Sequence, residues 1–202
     1  MERRVLSGIT AIAVIASAEV FVSREALAQT NDASNREKAE ALNREAAADM
    51  AAKKYSTACP KFKEVVALVP GGIGAKLSLA GCYERWGRLA SALWAYRLAE
   101  QAASAVHDPR EATAHAAAVE LEAKVARHRV VMPIPVAALP GLKITIDDEI
   151  VPPEAWNLWV PIDVGEYKLQ VTAKGKDVWT KQVKIHENGF RASSTVQMPR
   201  DL

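Results

Sequence analysis

The segment PGGIGAKLS, residues 70–78, combines glycines with a lysine and a serine, the residue types that bind phosphate groups in nucleotide-binding loops. In such a loop a lysine directly follows the last glycine, a serine or threonine follows the lysine, and a β-strand precedes the loop. Here Gly74 is not followed directly by the lysine, and Leu77 stands where the hydroxyl residue should follow Lys76. The segment therefore predicts a turn between two helices, with a new helix beginning near Ile73.

The two cysteines of the chain, Cys59 and Cys82, are the next candidates for chemistry. In an oxidising compartment they could form a disulfide, provided that the fold brings their Cα atoms close together. In the chain-entropy description, such a bond would stabilise the fold by about 3 kcal/mol. The alternative is that both are buried as small apolar residues.

Metal binding and catalysis have no positive signal in this sequence. The four histidines do not share the spacing of metal ligands. They are His107, His115, His128 and His186. The acidic run at residues 147–149 lacks the glycine and the periodic oxygens of a calcium loop, so it predicts a solvated hairpin turn. No nucleophile motif or separated pair of catalytic carboxylates stands out, and we expect no enzymatic activity, no metal and no cofactor.

Two tryptophans lie in the irregular segment PPEAWNLWVP, residues 152–161. Trp156 and Trp159 could form an exposed platform for sugar rings or for a partner chain, because an aromatic ring offers a large apolar face. Their alternative role is to complete the core of a small β domain, which needs large residues.

Composition limits the kinds of partner that the protein can have. Half of the 202 residues are apolar, which is enough to bury a core. Twenty-six basic and 24 acidic residues leave a net charge of +2, and the chain has no block of lysines and arginines. This balance gives no indication of a nucleic-acid partner.

Residues 1–28 have the features of an export signal. A positive start precedes a short apolar segment at residues 9–18, and Ala-Leu-Ala at 26–28 fits the small-x-small rule for cleavage. A second possible cleavage motif lies at residues 16–18. The apolar run is shorter than the ~20 residues that span a bilayer. We expect a periplasmic or secreted protein without a membrane span after cleavage; an uncleaved N-terminal anchor is the alternative.

The remaining chain divides by composition near residue 130. Residues 29–129 are alanine-rich and favour helices, whereas residues 130–202 carry alternating β-branched residues that favour strands. We expect an α+β protein of two domains, with a small antiparallel β-sandwich as the second. Asp108-Pro109 predicts the start of a final helix, which we expect to run to about Arg129.

The helical part repeats itself with a period of 34 residues. The repeated positions combine a small residue, an aromatic residue and another small or aliphatic residue at spacings of three and four. They are Tyr55, Ala58, Phe62 and Val65 in the first copy, and Leu89, Ala92, Tyr96 and Ala99 in the second. Alanines at such positions let antiparallel helices approach closely, and an aromatic ring fills the space between them.

The second copy, LAGCYERWGRLASALWAYRLAEQA at residues 79–102, resembles a tetratricopeptide repeat (TPR). The first copy departs from that pattern at Leu42, Asp49 and Lys53. The resemblance implies about two repeats and a capping helix at residues 110–129. A generic bundle of alanine-rich helices is the alternative.

If the resemblance holds, the first helix of each pair lines a groove that docks a protein or peptide partner. The residues expected to line it are Asn43, Arg44, Ser78, Glu84 and Arg85. The repeat also places Cys59 and Cys82 on neighbouring helices, which favours a disulfide between them.

The segment VPIDVGEYKLQVTAKGKDVWTKQVKI, residues 160–185, resembles the PEGA-type module of bacterial surface proteins. Pro161, Gly165, Tyr167 and Gly175 occupy its characteristic positions, while its usual Asp-Gly turn is replaced by the acidic run at residues 147–149.

Together the two resemblances imply an exported bacterial scaffold without enzymatic activity. Its helical domain would dock a protein partner in the cell envelope, and its β domain would contact another envelope component. The alternative is a protein that binds cell-wall glycan or exopolysaccharide through Trp156 and Trp159.

Overall fold

A computed structural model of the chain describes the backbone of residues 18–202 and the side chains of residues 32–202. The first 17 residues of the predicted signal peptide, residues 1–28, lie outside the described residues. The described chain has an α+β fold, in which helices precede strands. Before the first strand these helices are α1 (Ala18–Ala51), α2 (Tyr55–Leu68), α3 (Ile73–Trp86), α4 (Leu89–Ser104) and α5 (Arg110–Glu122).

The helical half, residues 18–122, is held together mainly by small side chains. Each helix packs against the next along the chain. Ala46, Ala58, Ala80 and Ala95 are fully buried where α1 to α4 meet, and the ring of Phe62 fills the remaining space. Because an alanine adds little width to a helix, neighbouring helices can approach closely at these positions.

A disulfide crosses this alanine-rich core. The structure joins Cys59 of α2 to Cys82 of α3, whose Cα atoms are 5.6 Å apart. Both cysteines are fully buried, and the bond stabilises the helical half by constraining the unfolded chain.

The helix starts agree with the sequence prediction at two turns. α3 begins at Ile73, directly after the glycine turn. The side chain of Asp108 accepts a hydrogen bond from the backbone N–H of Arg110 at 2.9 Å and so caps the first turn of α5. Hydrogen bonds from Arg110 lower the pKa of Asp108 to about 2.

The β half, residues 126–202, consists of two sheets. Its strands are β1 (Ala126–Val131), β2 (Lys143–Ile146), β3 (Glu149–Ile150), β4 (Val160–Ile162), β5 (Gly165–Thr172), β6 (Trp179–Ile185) and β7 (Arg191–Thr195). A short helix α6 (Ile134–Ala137) and a 3₁₀ turn (Pro153–Ala155) lie between strands. The sheets have the orders β4-β1-β7 and β3-β2-β5-β6.

Two details of the β half differ from the sequence prediction. The expected helix to Arg129 is wrong, because α5 ends at Glu122 and β1 begins at Ala126. The expectation of purely antiparallel sheets is also wrong, because β1 pairs with β7 in parallel. Both differences have one cause: the segment 126–131 pairs with a strand more than sixty positions later, and this long-range pairing outweighs its local helical propensity.

The two sheets share one hydrophobic core of larger side chains than those of the helical half. Its fully buried members include Ile144, Leu169, Val171, Ile185 and Val196. β2, β5 and β6 present these residues in alternation, so one face of each strand is buried and the other is solvated.

A buried carboxylate connects the two halves. Asp163, between β4 and β5, accepts hydrogen bonds from the backbone N–H groups of Ala90 at 2.8 Å and Ser91 at 3.1 Å, and from the Ser91 hydroxyl at 2.6 Å. These donors lie in the first turn of α4, so a residue of the β half caps a helix of the helical half. The carbonyl of Asp163 in turn accepts a hydrogen bond from the Tyr167 hydroxyl at 2.8 Å.

Of the helices described for residues 18–202, none is both long and apolar enough to cross a membrane.

Candidate functional site

An open hollow of about 520 Å³ lies where α1, α2 and α3 meet. Its floor is apolar, because α1 contributes Met50, α2 contributes Phe62 and α3 contributes Leu77. The small residues Ala47, Ala51 and Gly81 leave the space that makes the surface concave. Ser78 and Arg85 complete the lining with polar groups. This surface, which we call the helical hollow, can hold apolar side chains of a partner and offers one cation beside them.

The five residues predicted for the groove are divided between this hollow and its surroundings. Ser78 and Arg85 line the hollow. Asn43 and Arg44 are exposed on α1 outside its lining; Asn43 lies one turn before Ala47 on the same helix face.

Glu84 faces α4 instead, where its carboxylate accepts a hydrogen bond from the Tyr96 hydroxyl at 2.8 Å. Burial, together with this hydrogen bond, raises the pKa of Tyr96 to about 12. Glu84 therefore joins two helices and is held away from the hollow.

Arg85 gives the lining of the hollow a positive charge. Within residues 32–202, neither Arg85 nor Arg44 has a carboxylate oxygen within 4.0 Å. Arg85 lies in the last turn of α3, where a cation also interacts favourably with the carbonyl end of the helix dipole. An acidic group of a partner can therefore pair with Arg85 without displacing an existing carboxylate.

Sequence reasoning missed the floor of the hollow. Met50 and Phe62 line it, although only the second belongs to the 34-residue repeat. The signal that could have found Met50 is its three-residue spacing from Ala47, which places both on one face of α1. Phe62 reaches the same surface because α2 packs against both α1 and α3. No short sequence pattern indicates this packing.

The glycine-rich segment at residues 70–78 is a structural turn. It follows the helix α2, and a Cβ atom at Gly72 would make a tight contact, 3.0 Å from the carbonyl oxygen of Val69. Lys76, the residue that would have held phosphate, is buried and donates a hydrogen bond to the carbonyl of Pro70. Burial lowers the pKa of Lys76. Through this hydrogen bond, the ammonium group of Lys76 links α3 to the turn that precedes it.

The two tryptophans of the predicted glycan platform have different surroundings. Trp156 packs against the core of the β half, and its indole N–H donates a hydrogen bond to the carbonyl of Val151 at 3.1 Å. Trp159 is half-buried, with the guanidinium of Arg129 4.5 Å from its ring centroid and that of Arg191 at 5.7 Å. Trp156 thus packs against the core, whereas the ring of Trp159 lies beside two arginine side chains.

Cation ligands do not gather in the described part of the chain, residues 32–202, where no cluster of three or more His, Cys, Asp or Glu side chains could hold a metal ion. Residues Asp147 and Asp148 form the turn of a hairpin between β2 and β3, as predicted, and both have positive φ.

Comparison with protein-family models gave no match, and comparison with curated proteins gave none either.

Proposed function

We propose that this protein is an exported, non-enzymatic scaffold that docks an extended or helical segment of a partner protein in the helical hollow. The observation that carries the proposal is the hollow itself, a concave surface that combines an apolar floor with the cation of Arg85 in its lining. The bound segment would place apolar side chains against Met50, Phe62 and Leu77 and an acidic residue near Arg85.

The assignment of the helical half to tetratricopeptide repeats is supported by an internal correspondence. α4 begins at residue 89 and α2 at residue 55, which agrees with the period of 34 residues. The turns before these helices also correspond, because Lys53 and Gly87 both adopt positive φ, at 58° and 80°. The first copy thus keeps the left-handed turn although it has lost the glycine.

The assignment of the β half to a PEGA-like β-sandwich is supported by two sheets with one shared core. Gly175 has a φ of 71° in the turn between β5 and β6, at the position of the family's second glycine. In this proposal the β half holds the helical half in place through Asp163.

Export is supported by the signal-like residues 1–28 and by the buried disulfide, since disulfides persist in oxidising compartments. The proposed compartment is the periplasm or the exterior of the cell.

Site-specific photo-cross-linking tests the proposed docking. A photoreactive residue at Leu77, in the hollow, is expected to capture one discrete partner segment in the cells that make the protein. The matched control is Val119 of α5, an exposed aliphatic residue outside the hollow, which is not expected to capture it. Adding Arg85→Glu to the Leu77 probe should abolish capture by charge repulsion. Equal capture at both positions, or capture unaffected by Arg85→Glu, would refute the proposal.

Glycan binding is the second candidate, and the surroundings of Trp159 favour an acidic sugar. Within residues 32–202, Arg129 and Arg191 have no carboxylate partner, and Nε of Arg129 is buried without a hydrogen-bond acceptor. Co-sedimentation with an acidic polysaccharide should be lost in Trp159→Ala and kept in Trp94→Ala, an exposed tryptophan of α4. Retention of binding in Trp159→Ala would exclude this mechanism.

A further inference from the structure

The β half contains a cavity of about 380 Å³ between the edges of its two sheets. Val130 and Ile162 come from the three-stranded sheet, Ile146 from the four-stranded sheet, and Ala155 from the 3₁₀ turn. Almost all of this lining is apolar. The volume lies near the lower end of the range for small-ligand pockets, about 300–1,000 Å³, so the cavity suits one compact apolar group.

The polar side chains around the cavity are already engaged. His128 is 3% exposed, and its Nε2 lies 3.1 Å from the hydroxyl of Ser194. Burial lowers the pKa of His128, which keeps the imidazole neutral at physiological pH. The Tyr167 hydroxyl donates a hydrogen bond to the backbone carbonyl of Asp163. The cavity therefore offers no free charged group in its interior.

The mouth of the cavity has a different character. Ile150 and Val160 are 63% and 41% exposed there, which extends the apolar surface outward. Asp147 and Glu149 also line the cavity, and Asp148 lies between them in the exposed turn. Within residues 32–202 none of the three carboxylates has a lysine, arginine or histidine side-chain nitrogen within 4.0 Å. One oxygen of Asp147 accepts a hydrogen bond from the backbone N–H of Lys168 at 2.7 Å.

The edge strands beside the cavity are poor templates for an added strand. β3 has two residues, and β4 has three, of which Pro161 lacks an N–H group. A partner can therefore gain little from backbone pairing here and must bind through a side chain.

We propose that this cavity is a second binding site, which receives one bulky apolar side chain of a partner segment whose neighbouring residues are lysine or arginine. The apolar side chain fills the cavity, and its basic neighbours pair with the carboxylates of residues 147–149. The same carboxylates repel the phosphate or carboxylate head groups of acyl lipids, which favours a protein segment over a lipid chain. The site is independent of the helical hollow, because no residue is shared between them.

Titration of the isotope-labelled full chain with short peptides, followed by amide NMR, tests this site. The probe is acetyl-Gly-Lys-Trp-Lys-Gly-amide; one control peptide replaces both lysines by glutamate, and another replaces the tryptophan by alanine. We expect shifts at Ile146, Ile150 and Ile162, and a dissociation constant at least about tenfold lower for the probe than for either control. The amides of Leu77 and Gly81 should not respond, which separates this site from the helical hollow.

Three variants refine the test. Glu149→Lys is expected to weaken probe binding, whereas Glu187→Lys, the same charge change on an exposed residue outside the cavity, should leave it unchanged. Ala155→Phe should block binding by filling the cavity while the rest of the amide spectrum stays folded.

Other outcomes would overturn the inference. These are equal affinity for all three peptides, tighter binding of laurate than of the probe, or amide shifts at the cavity that grow with protein concentration in the absence of peptide. The last result would assign the cavity to a second copy of the chain.

Discussion

The helical half and the β half bury very different side chains. The helical core contains Ala46, Ala58, Ala80 and Ala95, which remove little apolar area from water when they are buried. The β core contains leucines, isoleucines and valines. A core of small residues permits close helix packing but contributes less hydrophobic stabilisation, and the disulfide adds a covalent constraint in the same half. Because of this difference, we expect each half to lose stability through a different kind of substitution.

The largest expected effect is the loss of a big side chain from the β core. Leu169 is fully buried, so Leu169→Ala should lower the free energy of unfolding of the β half by about 3 kcal/mol. Hydrogen exchange measured by mass spectrometry should show faster exchange in β2, β5 and β6. An equal acceleration in α1 to α3 would mean that the halves do not differ as described.

Loss of the disulfide should act on the other half. In the chain-entropy description, replacing both Cys59 and Cys82 by alanine should cost about 3 kcal/mol. We expect faster hydrogen exchange in α2 and α3, and an unchanged exchange rate in β5. Two alkylatable thiols in the exported, denatured wild-type protein would show instead that the bond does not form.

The link between the halves should have a smaller effect. Asp163→Ala removes the cap of α4 and leaves the Ser91 hydroxyl without its acceptor, which should cost about 1–2 kcal/mol. The expected observation is faster exchange in the first turn of α4 while the cores of both halves stay protected. The exposed Glu187→Ala serves as the control; an equal loss of protection in that variant would contradict the capping role.

The first of the two proposed repeats offers a stabilising change. Lys53 has a φ of 58°, a conformation that costs a non-glycine residue about 1 kcal/mol, so Lys53→Gly should raise stability by that order. The corresponding Gly87→Ala, in the second repeat, should lower it by a similar amount. Chemical denaturation gives the free energy of unfolding of each variant. A loss of stability in both variants would argue that the turns at Lys53 and Gly87 do not correspond.

The smallest effect is a pH dependence confined to the β half. Burial lowers the pKa of His128 below its ordinary value of 6.5, so the unfolded chain takes up a proton first as the pH falls. The stability of the β half should therefore be constant above that value and decrease as the pH falls below it. His128→Gln should remove this dependence of stability on pH between about pH 6.5 and 5. Carboxylates protonate below this range, at about pH 4. A wild-type stability that increases as the pH falls from about 6.5 to 5 would contradict this prediction.

Local signals predicted the helical half better than the β half. The starts of α3 and α5 could be read from sequence because a glycine turn and the Asp108-Pro109 pair act on their immediate neighbours. The parallel pairing of β1 with β7 could not, since two strands so far apart in sequence leave no hairpin signal between them.

The candidate sites show the same limit. Ser78 and Arg85 could be placed from the 34-residue period, but the orientation of Glu84 toward Tyr96 depends on how α3 rotates against α4. The role of Asp163 also needed the structure, because an aspartate before a strand gives no sign that it caps a distant helix.

The affinity of the segment captured at Leu77 for the purified protein tests the central claim most directly. A synthetic peptide of that segment should bind the wild type, and Arg85→Glu should weaken binding by at least about tenfold through lost charge pairing. Glu149→Lys, which alters only the cavity of the β half, should bind the peptide as well as the wild type does. Equal binding by the wild type and Arg85→Glu would contradict docking in the helical hollow.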